Sequence, residues 1–182
     1  MLTLLAMLLG SSPASIGAPD ECQYDLSSYV GMNPIEFDQG ENGWRHLAST
    51  AGCEREAAEL IQKYVHYNEN QLDEDIRPLL LWHRGQILAF SGNYGQAIPE
   101  MTASRKRTTA DIDGWNLYVE GTIAFLENDR AAFNEVIFAL KALKRPPGYP
   151  EGDLEWPPNL SVLTRMGKCF GSPYKQAYEG RC

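Results

Sequence analysis

The fold is decided by the stretch Trp82-His83-Arg84-Gly85-Gln86-Ile87-Leu88-Ala89-Phe90-Ser91-Gly92-Asn93-Tyr94, with Ala97 just beyond it. Its apolar residues recur at helical spacing up to Phe90. Ser91-Gly92-Asn93 then breaks the run, and Tyr94 and Ala97 open a second one. Gly85 and Gly92 are seven residues apart, and Ala97 follows Gly92 by five. The same intervals recur 36 residues later, where Gly121 and Asn128 are seven apart and Phe133 follows by five. An earlier unit ends Trp44-Arg45-His46-Leu47-Ala48-Ser49-Thr50-Ala51-Gly52, with Ala57 five after Gly52.

The flanking segments carry the same helical period. Ala57, Leu60, Ile61, Tyr64 and Val65 share one helix face, as do Ala132, Phe133, Val136, Ile137 and Leu140. No stretch alternates as a strand would, and no Asn-Gly type turn joins two β-rich runs. The expected fold class is therefore all-α. Asp73-Glu74-Asp75 suits a helix N-terminus, with Pro78 in the first turn. Pro99 falls inside the second helix of the middle unit, where it is expected to kink or delay that helix.

Carried on Gly85, Gly92, Tyr94 and Ala97, this pattern resembles the tetratricopeptide repeat. The third unit keeps Gly121 and Phe125 but has Asn128 and Phe133 where Gly and Ala belong. The first unit has Arg45 where the helix-packing Gly belongs, and the period is 36 to 40 residues instead of 34. The resemblance covers residues 41–144. It implies an α-solenoid of about three stacked antiparallel helical hairpins. It also implies a concave groove lined by the first helix of each unit. Carried over residue by residue, that face would hold His46 and Ser49, then Trp82, Gln86, Ala89 and Phe90, then Trp115, Tyr118, Thr122 and Phe125. The expected ligand-binding residues are Trp82, Gln86, Phe90, Trp115, Tyr118, Thr122 and His46, an aromatic surface for a protein or peptide partner.

Outside the repeats, residues 1–18 read as a signal peptide. Leu2 to Leu9 is apolar but for Thr3, and small residues follow to Ala18, although no Lys or Arg follows Met1. The run is too short to span a bilayer, so no membrane span is expected after cleavage. Cys22, Cys53, Cys169 and Cys182 make an even set suited to an exported, periplasmic or extracellular chain. Short loops favour Cys22–Cys53 with Cys169–Cys182. The expected segments are a stapled N-terminal piece over 19–40, the hairpins over 41–144, a Pro/Gly-rich loop over 145–159, and a capping helix with a disulfide-closed tail over 160–182.

The net charge of −8 argues against a nucleic-acid partner and against an anionic membrane surface. The basic run Arg105-Lys106-Arg107 reads as a solvated loop. His46, His66 and His83 have no metal-ligand spacing, and no cofactor motif or catalytic signature occurs. Neither a metal nor a cofactor is expected. The leading expectation is a non-catalytic, exported binding module. The alternatives are a small hydrolase or glycan-active enzyme working through a Glu such as Glu100 or Glu120, and a structural subunit of a cell-envelope assembly.

Overall fold

The computed structural model describes residues 19–147, 149 and 155–182. Its described residues are all-helical, with no strand among them. The helices are α1 (Ser27–Val30), α2 (Pro34–Gln39), α3 (Trp44–Ser49), α4 (Glu54–Tyr67), α5 (Ile76–Phe90), α6 (Tyr94–Ala103), α7 (Trp115–Leu126), α8 (Arg130–Lys141), α9 (Leu160–Lys168) and α10 (Tyr174–Glu179). The proposed signal peptide, residues 1–18, lies outside the described residues, as does much of the Pro/Gly-rich loop. No described helix is long and apolar enough to cross a membrane.

The helix boundaries follow local chemistry. Asn33 caps α2 by accepting the Ile35 N–H at 2.9 Å, with Pro34 at the first helical position. Asp129 does the same for α8 through the Ala132 N–H at 3.0 Å. At the start of α5 the acidic run takes the role its composition implies. Asp73 accepts the N–H groups of Asp75 and Ile76 at 3.0 and 2.8 Å, and Pro78 sits in the first turn.

Helices are joined where one residue takes a left-handed backbone. Gly52 (φ 88°), Gly92 (φ 79°) and Asn128 (φ 58°) hold equivalent places in the three sequence units. The ends of α5 and α7 close alike: Asn93 N–H reaches back to Leu88 at 2.9 Å, and Asp129 N–H reaches Ala124 at 2.8 Å. Helix α6 runs through Pro99 instead of ending there. The missing proline N–H deprives only the Gly95 carbonyl, in the exposed first turn, where water can replace it.

The helices pack mainly against their neighbours in sequence, most extensively α5 with α6, α7 with α8 and α4 with α5. Gly85 lets α5 and α6 approach: a Cβ there would lie 2.7 Å from Met101 Cγ and 3.1 Å from the Ala97 carbonyl oxygen. The α4 face foreseen from spacing is buried throughout. On α8 only Phe133 and Leu140 are fully buried, while Ala132, Val136 and Ile137 are half-exposed. At the N-terminal end Phe37 stacks on Tyr64 with centroids 3.6 Å apart, and the Tyr64 hydroxyl donates to the Met32 carbonyl at 2.7 Å. Burial pushes the Tyr64 hydroxyl up to about 12.

The disulfides are Cys22–Cys53 and Cys169–Cys182, closing loops with sequence separations of 31 and 13. The first ties the N-terminal segment to the start of α4; the second ties the end of the chain to α9.

Gly85 and Gly95 give a matched test of this packing. Gly85→Ala should lower the unfolding free energy by about 1–3 kcal/mol through overpacking against α6. Gly95→Ala has nothing within 4 Å of the new Cβ and should be neutral or stabilising by up to about 1 kcal/mol. Urea denaturation of the two variants measures both; equal effects would contradict the close approach at Gly85.

Candidate functional site

The structure gathers most of the expected groove residues but does not leave them open. Trp82, Trp115 and Tyr118 form one ring cluster, with centroids 5.3 Å apart (Trp82–Trp115), 4.8 Å (Trp82–Tyr118) and 5.9 Å (Trp115–Tyr118). Trp82 and Tyr118 are each only 3% exposed. Thr122 is fully buried, and its hydroxyl donates back to the Tyr118 carbonyl at 2.9 Å. These three are core residues, which corrects the expectation that they line an accessible groove.

Helix α10 packs farther along the same two helices, over Phe90 and Phe125. Phe90 packs against Tyr174 and Tyr178, each at 5.4 Å, and Phe125 meets Tyr174 at 6.2 Å. The Tyr174 backbone N–H donates to the Tyr94 hydroxyl at 3.0 Å. The Tyr174 hydroxyl is fully buried without a well-formed hydrogen bond, and Gln86 is its polar neighbour. Burial, with Tyr174 and Tyr178 nearby, pushes the Tyr118 hydroxyl well above its ordinary range. Gln86 and Phe90 are therefore half-buried where α10 lies over α5. His46 is exposed on α3 and has no ring contact with the others among the described residues.

Within the ring cluster, Trp115 keeps access to solvent where Trp82 and Tyr118 do not. It stands in a cleft of about 360 Å³ with Asp75, Ile76, Pro78, Leu79 and Lys106. A second cleft of about 380 Å³ shares Asp75, Pro78 and Lys106 and extends toward Glu74 and Arg107. One wall is the start of α5; the other is the segment joining α6 to α7. That segment is well braced. The Asn116 side chain accepts from the Lys106 N–H and donates to the Lys106 carbonyl, both at 2.9 Å. Trp115 Nε1 donates to the Ser104 carbonyl at 2.9 Å, which fixes the indole plane. Lys106 Nζ lies 5.6 Å from the Trp115 ring centre and 3.9 Å from Asp113. Arg107 and Glu74 face each other from opposite walls at 3.5 Å.

A polar cluster that sequence reading missed lies where α2, α3 and α5 meet. Asp38 is 1% exposed. Its Oδ1 accepts from Trp44 Nε1 at 2.9 Å and lies 2.7 Å from His83 Nδ1; its Oδ2 accepts from Gln39. Arg45 Nη2 is 3.8 Å from Oδ2 and 3.4 Å from His83 Nε2. A guanidinium only donates, so the contact with His83 is a hydrogen bond when Nε2 holds its lone pair and Nδ1–H donates to Asp38. The only trace in the sequence is an Asp beside Phe37, six residues before a Trp-Arg pair. Burial alone would raise the Asp38 carboxyl. The His83 hydrogen bond and charge outweigh it, helped by Trp44 and Gln39, and hold the group below the ordinary carboxylate range.

Among the described residues no group of three or more His, Cys, Asp or Glu is placed to hold a metal, and all four cysteines are paired. Glu100 pairs with Arg84, and Glu120 lies 3.5 Å from Arg105. Compared with protein-family models, with curated proteins and with solved structures, the chain finds no match.

Asp38 sets a pH dependence of known sign. Its folded pKa is depressed, so its contribution is complete above the unfolded value of about 3.9 and disappears as pH falls through the lower folded value. Asp38→Asn should cost on the order of 3 kcal/mol at pH 7, because the amide offers a donor to a ring of donors. The gap between wild type and variant should narrow as pH falls below about 4. Urea unfolding of both proteins between neutral and acidic pH measures it; a constant gap would contradict an ionised Asp38.

Proposed function

We propose that this chain is an exported, non-catalytic helical-repeat module that binds a protein or peptide partner. The export reading is supported by the two disulfides, which fit an oxidising compartment. The repeat reading, three stacked hairpins resembling tetratricopeptide units, draws on two features: the left-handed residues at Gly52, Gly92 and Asn128, and the packing of α3 with α4, α5 with α6 and α7 with α8. In this reading α9 and α10 cap the stack.

The observation that carries the binding site is the half-exposed Trp115 indole, braced in a cleft with charged walls and an apolar floor. Partner-binding surfaces concentrate their energy on a few such aromatic anchors surrounded by polar groups. Ile76, Pro78 and Leu79 supply apolar contact beside the ring, while Lys106 and Asp75 supply direction. An extended segment with one bulky apolar side chain and charges on both sides of it matches that surface.

The test is affinity capture from the native extracellular or periplasmic fraction. The baits are wild type, Trp115→Ala, Lys106→Glu and a control, Phe138→Ala, at an exposed position outside the cleft. Wild type and Phe138→Ala should retain the same partner, and the two cleft variants should lose it while keeping a cooperative thermal transition. Equal recovery on all four baits would refute the cleft as the binding site. Lys106→Glu covers the case in which Trp115→Ala is too destabilised to use.

A further inference from the structure

We propose that the outer edge of the Arg45–His83 pair is a binding site for a carboxylate. Both side chains are held before any ligand arrives. The Arg45 guanidinium lies 4.3 Å from the Trp44 ring centre, and its Nε donates to the Asp38 backbone carbonyl at 2.6 Å. That uses one of its five N–H groups. Nη2 turns toward Asp38 and His83, and Nη1 makes no hydrogen bond among the described residues. His83 is fixed from behind by Asp38, which is itself fixed by Trp44 and Gln39. The bond to Asp38 turns His83 Nε2 toward Arg45 Nη2, 3.4 Å away, so the imidazole steadies the guanidinium from a second side.

The edge is open to solvent. The Arg45 side chain is 40% exposed and that of His83 12%, while Asp38 beneath them is sealed. Apolar residues of similar size usually stabilise a core as well as a buried carboxylate with polar partners does. The cluster is thus more than the packing of α2 against α5 requires, and its surplus is the half-exposed guanidinium edge of Arg45.

Charge selects the ligand class. Asp38 takes up the inward side of the Arg45 guanidinium, which leaves a single planar cationic edge that suits a monoanion. A phosphate dianion would leave excess negative charge on a chain already at −8. The planar guanidinium fork matches a carboxylate through two parallel N–H bonds. The carboxylate can belong to a small organic acid or to the C-terminus of a partner chain. This site shares no residue with the Trp115 cleft and does not depend on the function proposed for it.

The experiment is an NMR titration of the disulfide-intact protein at constant ionic strength, following Arg45 Nε–Hε and the His83 ring nitrogens. Sodium acetate should give saturable shifts at both groups, and inorganic phosphate should bind more weakly. Arg45→Gln should weaken acetate binding by about tenfold or more, as expected for losing charge-assisted hydrogen bonds. Arg45→Lys, which keeps the charge without the fork, should fall between. Both variants retain the Asp38 bonds to Trp44, His83 and Gln39, so an unchanged amide spectrum away from α2, α3 and α5 certifies their folds. Triglycine with a free C-terminus and its amide distinguish the sources: selective binding of the free acid assigns a peptide C-terminus, and binding of acetate alone assigns a small acid. Non-saturating shifts, phosphate binding tighter than acetate, or an Arg45→Gln titration like that of wild type would overturn the proposal.

Discussion

The structure depends on a backbone constraint at the junctions between helices. Here the chain leaves one helix and enters the next within three or four residues by passing through a left-handed conformation, which side chains with a Cβ resist. Gly52, Gly92 and Asn128 accept it, and in each case the next helix starts two residues later. Short junctions keep consecutive helices in contact, and those contacts build the core. Gly85 adds the second condition: with no Cβ on α5 at that point, α6 settles against its backbone.

Given that arrangement, the aromatic residues of α5 and α7 have little choice. Trp82, Tyr118 and Phe125 emerge where helices already meet, and burying such rings is worth more than presenting them to water. The C-terminal disulfide holds the chain end to α9, and α10 lies over Phe90 and Gln86. Trp115 escapes because it stands at the first position of α7, at the edge of the packed layer. There the segment from α6 turns away and leaves a cleft beside it.

The N-terminal segment is attached by different chemistry. Its helices α1 and α2 are too short to bury much surface, so its attachment relies on specific bonds: Cys22–Cys53, Tyr64 with Phe37 and Met32, and Asp38 with Trp44 and His83. Asp38 and His83 are 45 residues apart. A buried carboxylate is tolerated there because every approaching group donates or carries positive charge.

The sequence by itself determined what depends on near neighbours along the chain. Helical periodicity specified the all-α class, because an apolar stripe every three to four residues can be buried only in that form. The turn residues specified the junctions, because left-handed backbone is a local property. The even set of cysteines, two in the N-terminal third and two near the C-terminus, pointed to the pairing that forms. Tertiary structure alone decided which side chains remain accessible. The resemblance to the repeat implies that Trp82, Trp115 and Tyr118 share a face, but the packing of the helices around them decides whether that face meets solvent, and nothing local to those residues encodes that packing. Asp38 stayed illegible for the same reason: a carboxylate acquires its character from groups brought to it by folding, and its decisive partner is on another helix.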